Sequence, residues 1–100
     1  MGIMKVKVKI LPFEHFNEMN SKKELEIDLP EKSTINALLL KLSGIFGELF
    51  QKYIYNSERL SLIQNTILIL NDDVMQKTED LNTELHDGDE IIIGRAYTQG

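Results

Sequence analysis

Residues 83–93 read TELHDGDEIII: a polar run with one leucine, an Asp-Gly pair, then three isoleucines. Asp87-Gly88 is a strong turn signal, since glycine takes the left-handed backbone that tight turns need. The isoleucines, closed by Gly94, read as a strand. In a strand, successive side chains alternate between faces. The run therefore places alternate isoleucines in a core and leaves Ile92 for the opposite face, where a partner can meet it. A strand this close to the chain end needs earlier strands to pair with.

Those strands stand upstream. KVKVKIL (5–11) alternates strictly, with Val6, Val8 and Ile10 on one side and Lys5, Lys7 and Lys9 on the other. ELEIDL (24–29) repeats the pattern with opposite charge: Leu25, Ile27 and Leu29 inward, Glu24, Glu26 and Asp28 outward. Paired as an antiparallel hairpin, they set three lysines against three acids on the solvent side. The charge stripe is thus read as a sheet face and not as a binding site. Residues 12–23 between them are polar enough for a connecting loop.

Pro30 ends the second strand because it cannot donate to a ladder. Ser33 or Thr34 then offers an oxygen to cap a helix. Ile35, Leu38, Leu39, Leu42, Phe46 and Leu49 follow at helical spacing as one apolar face. Gly44 and Gly47 weaken that helix, so GIFGELFQKYI (44–54) is either its frayed end or a separate short turn. Residues 55–65 are too mixed to assign. TILIL (66–70) is a strand bounded by the turn cluster NDD, and Leu81 and Leu85 punctuate a polar stretch. The expectation is an α+β fold: a mixed sheet of four to five strands with one main helix packed across it.

Composition narrows the function. One hundred residues suit one small domain. A formal charge of -5 excludes a nucleic-acid partner of the usual cationic kind. No apolar run approaches the roughly 20 residues of a membrane span. MGIMKVKV (1–8) lacks the apolar core of a secretory leader, and Val6 stands where a myristoylation motif wants Ser or Thr. No membrane partner is expected. With no cysteine, disulfides and thiol catalysis are excluded, and a reducing cytoplasmic setting fits.

Catalytic motifs are missing too. His15 and His86 lie far apart with no cysteine to join them into a zinc site. Asp72, Asp73, Asp80, Asp87 and Asp89 lack calcium-loop spacing and sit at turns, where aspartate bonds nearby backbone. GIFGELF (44–50) matches no nucleotide fingerprint, and no serine sits in a nucleophile elbow. The chain is therefore not read as an enzyme.

The order strand, strand, helix, strand, strand resembles the ubiquitin-like β-grasp family. The likeness is to the MoaD and ThiS sulfur carriers, their eukaryotic relatives in transfer-RNA thiolation, and the small archaeal modifier proteins. DLPEKSTINALLLKL (28–42) is similar to the family's strand exit and Thr-led helix, and ILILNDDVM (67–75) to its strand ending in an Asn-containing turn. TELHDGDEIII (83–93) resembles the segment that opens the last strand. The likeness runs over residues 5–100. It implies a single β-grasp domain over 1–100 with a flexible tail from about residue 95.

The resemblance also implies that the chain end does the work. In the family, an E1-like, MoeB-like enzyme uses ATP to adenylate the terminal glycine carboxylate, here Gly100. The acyl-adenylate then becomes a sulfur-donating thiocarboxylate or an amide on a target-protein lysine. For the sulfur route in molybdenum cofactor synthesis, the partner would be the large subunit of molybdopterin synthase. The carrier binds no cofactor itself. Arg95, Tyr97, Thr98 and Gln99 would then be tail contacts in the partner's channel, and glycine, lacking a Cβ, suits a narrow one.

From Gly88 to Gly100 the tail keeps the family's length. Its ending differs: Gln99 stands where the first of two terminal glycines falls, and Arg95-Ala96 replace the usual Pro-Pro. The alternative reading is a non-conjugating interaction module with a degenerate C-terminus, docking through a sheet face or a strand edge.

Overall fold

The structure is a computed structural model that describes residues 2–11, 24–75 and 77–95, with Arg95 described by its backbone. β1 (Ile3–Ile10) and β2 (Glu24–Pro30) form the expected antiparallel pair, with Lys5 opposite Asp28, Lys7 opposite Glu26 and Lys9 opposite Glu24. Met4, Val6, Val8 and Ile10 are buried, while the three lysines face solvent. Among the described residues only Lys5 closes an ion pair across the strands, at 3.1 Å from Asp28. That hydrogen bond, helped by the charges of Asp28 and Glu26, raises the Lys5 ammonium above its ordinary pKa. The connecting segment 12–23, with His15, lies outside the described residues.

Helix α1 (Ile35–Phe46) starts at Thr34, whose hydroxyl accepts from the Ala37 N–H at 3.3 Å. Thr34, not Ser33, is thus the cap; Ser33 instead donates to the Pro30 carbonyl at 2.8 Å. Ile35, Leu38, Leu39 and Leu42 are fully buried on the sheet, and Phe46 and Leu49 pack at the margin. Fully burying each such aliphatic side chain is worth about 1.5–3 kcal/mol. Gly47, with φ at +77°, takes a conformation a helix cannot continue through. Of the two expectations for residues 44–54, the separate element is found: a short helix α2 (Glu48–Tyr53).

The unassigned segment 55–65 holds a small hairpin of β3 (Tyr55–Asn56) and β4 (Ser61–Leu62). β5 (Thr66–Leu70) and β6 (Asp73–Val74) are joined by Asn71 and Asp72, both at positive φ, the backbone a two-residue hairpin turn requires. A 3-10 turn (Thr78–Asn82) carries the buried Leu81 and leads to β7 (Glu90–Arg95). β7 enters the sheet between β1 and β5, parallel to the first and antiparallel to the second. The strand order is β2-β1-β7-β5-β6, a five-stranded mixed sheet crossed by α1.

Tyr55 is the largest fully buried side chain, and it is anchored by hydrogen bonds. Its hydroxyl donates to Asn36 Oδ1 at 2.7 Å, and Asn36 Nδ2 donates to Asn82 Oδ1 at 3.0 Å. This chain ties the small hairpin, the start of α1 and the 3-10 turn together. Burial pushes the Tyr55 pKa above its usual 10.0. Above about pH 10 the unfolded chain therefore releases a proton that the folded chain keeps, and stability falls as pH rises. Tyr55→Phe, which strands Asn36 Oδ1, is expected to cost about 1–3 kcal/mol at neutral pH. It should also shallow the alkaline fall, and urea denaturation at neutral and alkaline pH reads both effects.

Candidate functional site: the end of β7 and the outer sheet face

The DGDE turn docks onto β1 through its own side chains and backbone. Asp87 Oδ1 accepts from the Lys5 N–H at 2.8 Å, the Gly88 N–H donates to the Lys5 carbonyl at 2.8 Å, and the Lys7 N–H donates to the Asp89 carbonyl at 2.9 Å. Asp89 Oδ2 accepts from the His86 N–H at 2.7 Å, closing the turn on itself. Asp80 similarly accepts from the Lys77 N–H at 3.0 Å. These three aspartates are occupied with backbone, as their turn positions suggested. His86 is exposed, with Nδ1 3.9 Å from Asp89. Among the described residues, no three His, Cys, Asp or Glu side chains group so as to hold a metal ion.

Asn71 clamps the same turn from the other side. Its N–H donates to the Glu90 carbonyl at 2.9 Å, its Oδ1 accepts from the Glu90 N–H at 3.0 Å, and its Nδ2 donates to Asp89 Oδ1 at 2.9 Å. The start of β7 is thereby fixed against both neighbouring strands.

β7 buries Ile91 and Ile93 in the core and turns Ile92 and Gly94 to the outer face. Ile92 lies opposite Ile69, Gly94 opposite Ile67, and Ile69 opposite Val74. Leu11, 41% exposed, lies over Gly94, where a Cβ would come within 3.0 Å of its Cδ1. Leu11, Ile67, Ile69, Val74 and Ile92 thus form an apolar half of the outer face, beside the charged half made by β1 and β2. The placement of Ile92 agrees with the sequence reading. The other four were missed, although five apolar-capable residues in succession in TILIL already signal a strand covered on both faces.

This patch runs toward Arg95, the last described residue of β7. Arg95 pairs with Thr66, whose hydroxyl donates to the Tyr53 carbonyl at 3.3 Å. Of the residues singled out from sequence, Tyr97, Thr98, Gln99 and Gly100 lie outside the described residues, and of Arg95 only the backbone is described. At the opposite pole, an open cleft of about 420 Å³ lies among Ile3, Met4, Glu31, Lys32 and residues 84–87. It is remote from Arg95. No helix among the described residues is long and apolar enough to cross a membrane.

A mixed five-stranded sheet with parallel first and last strands and one helix across it is the ubiquitin-like β-grasp fold. The model of the ThiS family matches residues 10–93. The chain belongs to the ThiS family, among ubiquitin-like sulfur carriers and modifiers. The solved structure of the small archaeal modifier protein 1 from Methanosarcina acetivorans is 26% identical, with each chain covered over 100% of its length and a TM-score of 0.70. A putative molybdopterin converting factor subunit 1 from Pyrococcus furiosus is 23% identical over 94% of this chain and 99% of its own, with a TM-score of 0.68. Urm1 from Trypanosoma brucei shares the fold at 13% identity, covering 100% of this chain and 99% of that one, with a TM-score of 0.72. Comparison with curated protein sequences gives no match.

The clamp is testable. Asn71→Ala removes the side-chain bonds to Asp89 Oδ1 and the Glu90 N–H, keeps the backbone bond to the Glu90 carbonyl and sets alanine at a positive φ, and is expected to cost about 1–3 kcal/mol. Asn71→Gly, which relaxes the backbone but loses the same bonds, should cost less. Equal losses in thermal or urea denaturation would show that the backbone conformation contributes nothing.

Proposed function

We propose that the chain is a ubiquitin-like carrier whose Gly100 carboxylate is adenylated by an E1-like enzyme of the MoeB kind, with ATP supplied to that enzyme. The observation that carries the reading is the placement of the apolar outer face beside Arg95, close in sequence to Gly100. A free carboxylate is a poor electrophile, and joining it to AMP provides the leaving group that sulfide or a lysine amine displaces. The carrier presents the carboxylate, and the partner supplies the catalysis. Membership of the ThiS family supports a thiocarboxylate product for sulfur transfer, toward molybdopterin or a related acceptor. Likeness to a small archaeal modifier supports conjugation to target lysines.

In this reading Ile69 and Ile92 seat the activating enzyme, while Arg95, Tyr97, Thr98 and Gln99 line its channel. Apolar patches of this kind serve association. The second reading, a docking module that is never activated, is favoured by Gln99 at the penultimate position. Intact mass after incubation with the source organism's activating enzyme, ATP and a sulfur donor separates the two. A Gly100-dependent AMP adduct or thiocarboxylate is expected. An unchanged mass, with the enzyme active on another carrier, would leave the docking module.

Two variants sharpen the mechanism. Ile92→Glu, which puts a charge on the patch of the folded domain, should lower kcat/KM for adenylation by about tenfold or more, with denaturation checking the fold. Gln99→Gly should raise it, because a side chain in a narrow channel costs contact and freedom.

A further inference from the structure

Among the described residues, β2 is an edge strand, bonded to β1 on one side only. The direction of its other backbone groups follows from β1. Lys5 turns both its N–H and its carbonyl toward the turn before β7, and Lys7 turns its N–H the same way. In an antiparallel pair, residues directly opposite alternate between exchanging both bonds and exchanging none. Asp28 and Glu26, opposite Lys5 and Lys7, therefore point their N–H and C=O groups away from β1, and Glu24 opposite Lys9 does the same. The Asp28 carbonyl confirms this direction, since Lys41 Nζ reaches it from outside at 2.7 Å.

The residues with outward backbone groups are thus the same ones that carry the acids. Among the described residues, the carboxylates of Glu24 and Glu26 have no hydrogen-bond or ion-pair partner, and both side chains are exposed. A shallow depression of about 210 Å³ lies beside them, lined by Lys7, Glu24, Leu25 and Glu26. Lys41 closes the edge at the Asp28 carbonyl; among the described residues, no hydrogen bond closes it at Glu24, Glu26 or the Asp28 N–H.

We propose that this edge is a strand-addition site for an extended partner segment carrying Lys or Arg at alternate positions. Backbone pairing supplies the affinity and the acidic row selects the charge. A strand added here lies about 4.8 Å from the acids but about 9.6 Å from the lysines of β1. The repulsive row is then roughly one Debye length away, while the attractive row is in contact. The added strand would continue the alternation of sign that β1 and β2 begin.

The inference does not depend on activation of Gly100, and its test uses none. The full chain, labelled for NMR, is titrated with a Lys-Thr-Lys-Thr-Lys-Thr peptide and, in parallel, with its Glu-Thr counterpart. Shifts centred on the Glu26 and Asp28 amides are expected with the lysine peptide, and binding at least about tenfold weaker with the glutamate one. Glu26→Lys should weaken lysine-peptide binding by a similar factor. Glu26→Pro removes an outward N–H without touching the β1 ladder and should weaken it as well; if that variant does not fold, Glu26→Lys carries the test. Equal binding of both peptides, shifts confined to the Ile67–Ile69–Ile92 face, or no shifts at millimolar peptide would each overturn the proposal.

Discussion

The parallel pairing of β1 with β7 is the constraint on which the rest of the structure depends. A parallel pair cannot be closed by a hairpin, so nearly the whole chain must pass between its two strands. Everything in between meets a requirement this sets. α1 fills the space over the sheet, the small hairpin and the 3-10 turn close the helix's flank through Tyr55, Asn36 and Asn82, and β5 returns to flank β7. The contacts Lys7 N–H to Asp89 and Leu11 N–H to Ile93 join opposite ends of the sequence. Such long-range closure is entropically costly before it is rewarded, so the local β1–β2 and β5–β6 pairs are the natural early structure.

How much of this could be read in advance depends on whether a segment's pattern is local. The β1–β2 register was legible because two alternating strands of opposite charge have one pairing that buries every aliphatic and matches every charge. The helix was legible from its apolar spacing and from the capping oxygens of Ser33 and Thr34, between which only the structure decides. The hairpin at 55–62 was not, because two-residue strands show no periodicity and the hydroxyl partner of Tyr55, Asn36, lies 19 residues away in sequence. The candidate site was half legible. Ile92 followed from alternation within β7, whereas the patch around it comes from β1, β5 and β6, and only the sheet order brings those strands side by side.

The entry to β7 is held from both sides, by Asp87 and Gly88 on β1 and by Asn71 after β5. The strand is described as far as Arg95, beside an apolar surface. A partner that recognises that surface receives the following residues in a defined direction. That placement suits the carrier reading, in which the partner supplies the catalysis.

The charged half of the outer face calls for a different argument. Exposed pairs such as Lys5–Asp28, with both side chains more than half exposed, are screened by solvent and add little, so the stripe is weakly justified as a source of stability. Its force is in specificity. A slip of one residue between β1 and β2 would carry three lysines or three acids into the core, which no local rearrangement could satisfy. A row of acids on the edge strand, with Pro30 at its end and Lys41 over the Asp28 carbonyl, also discourages pairing with a second β2, because like rows would meet. The same row repels an acidic strand and admits a basic one. One arrangement of charge therefore fixes the internal register, suppresses self-association along the edge and leaves that edge selective for the opposite sign.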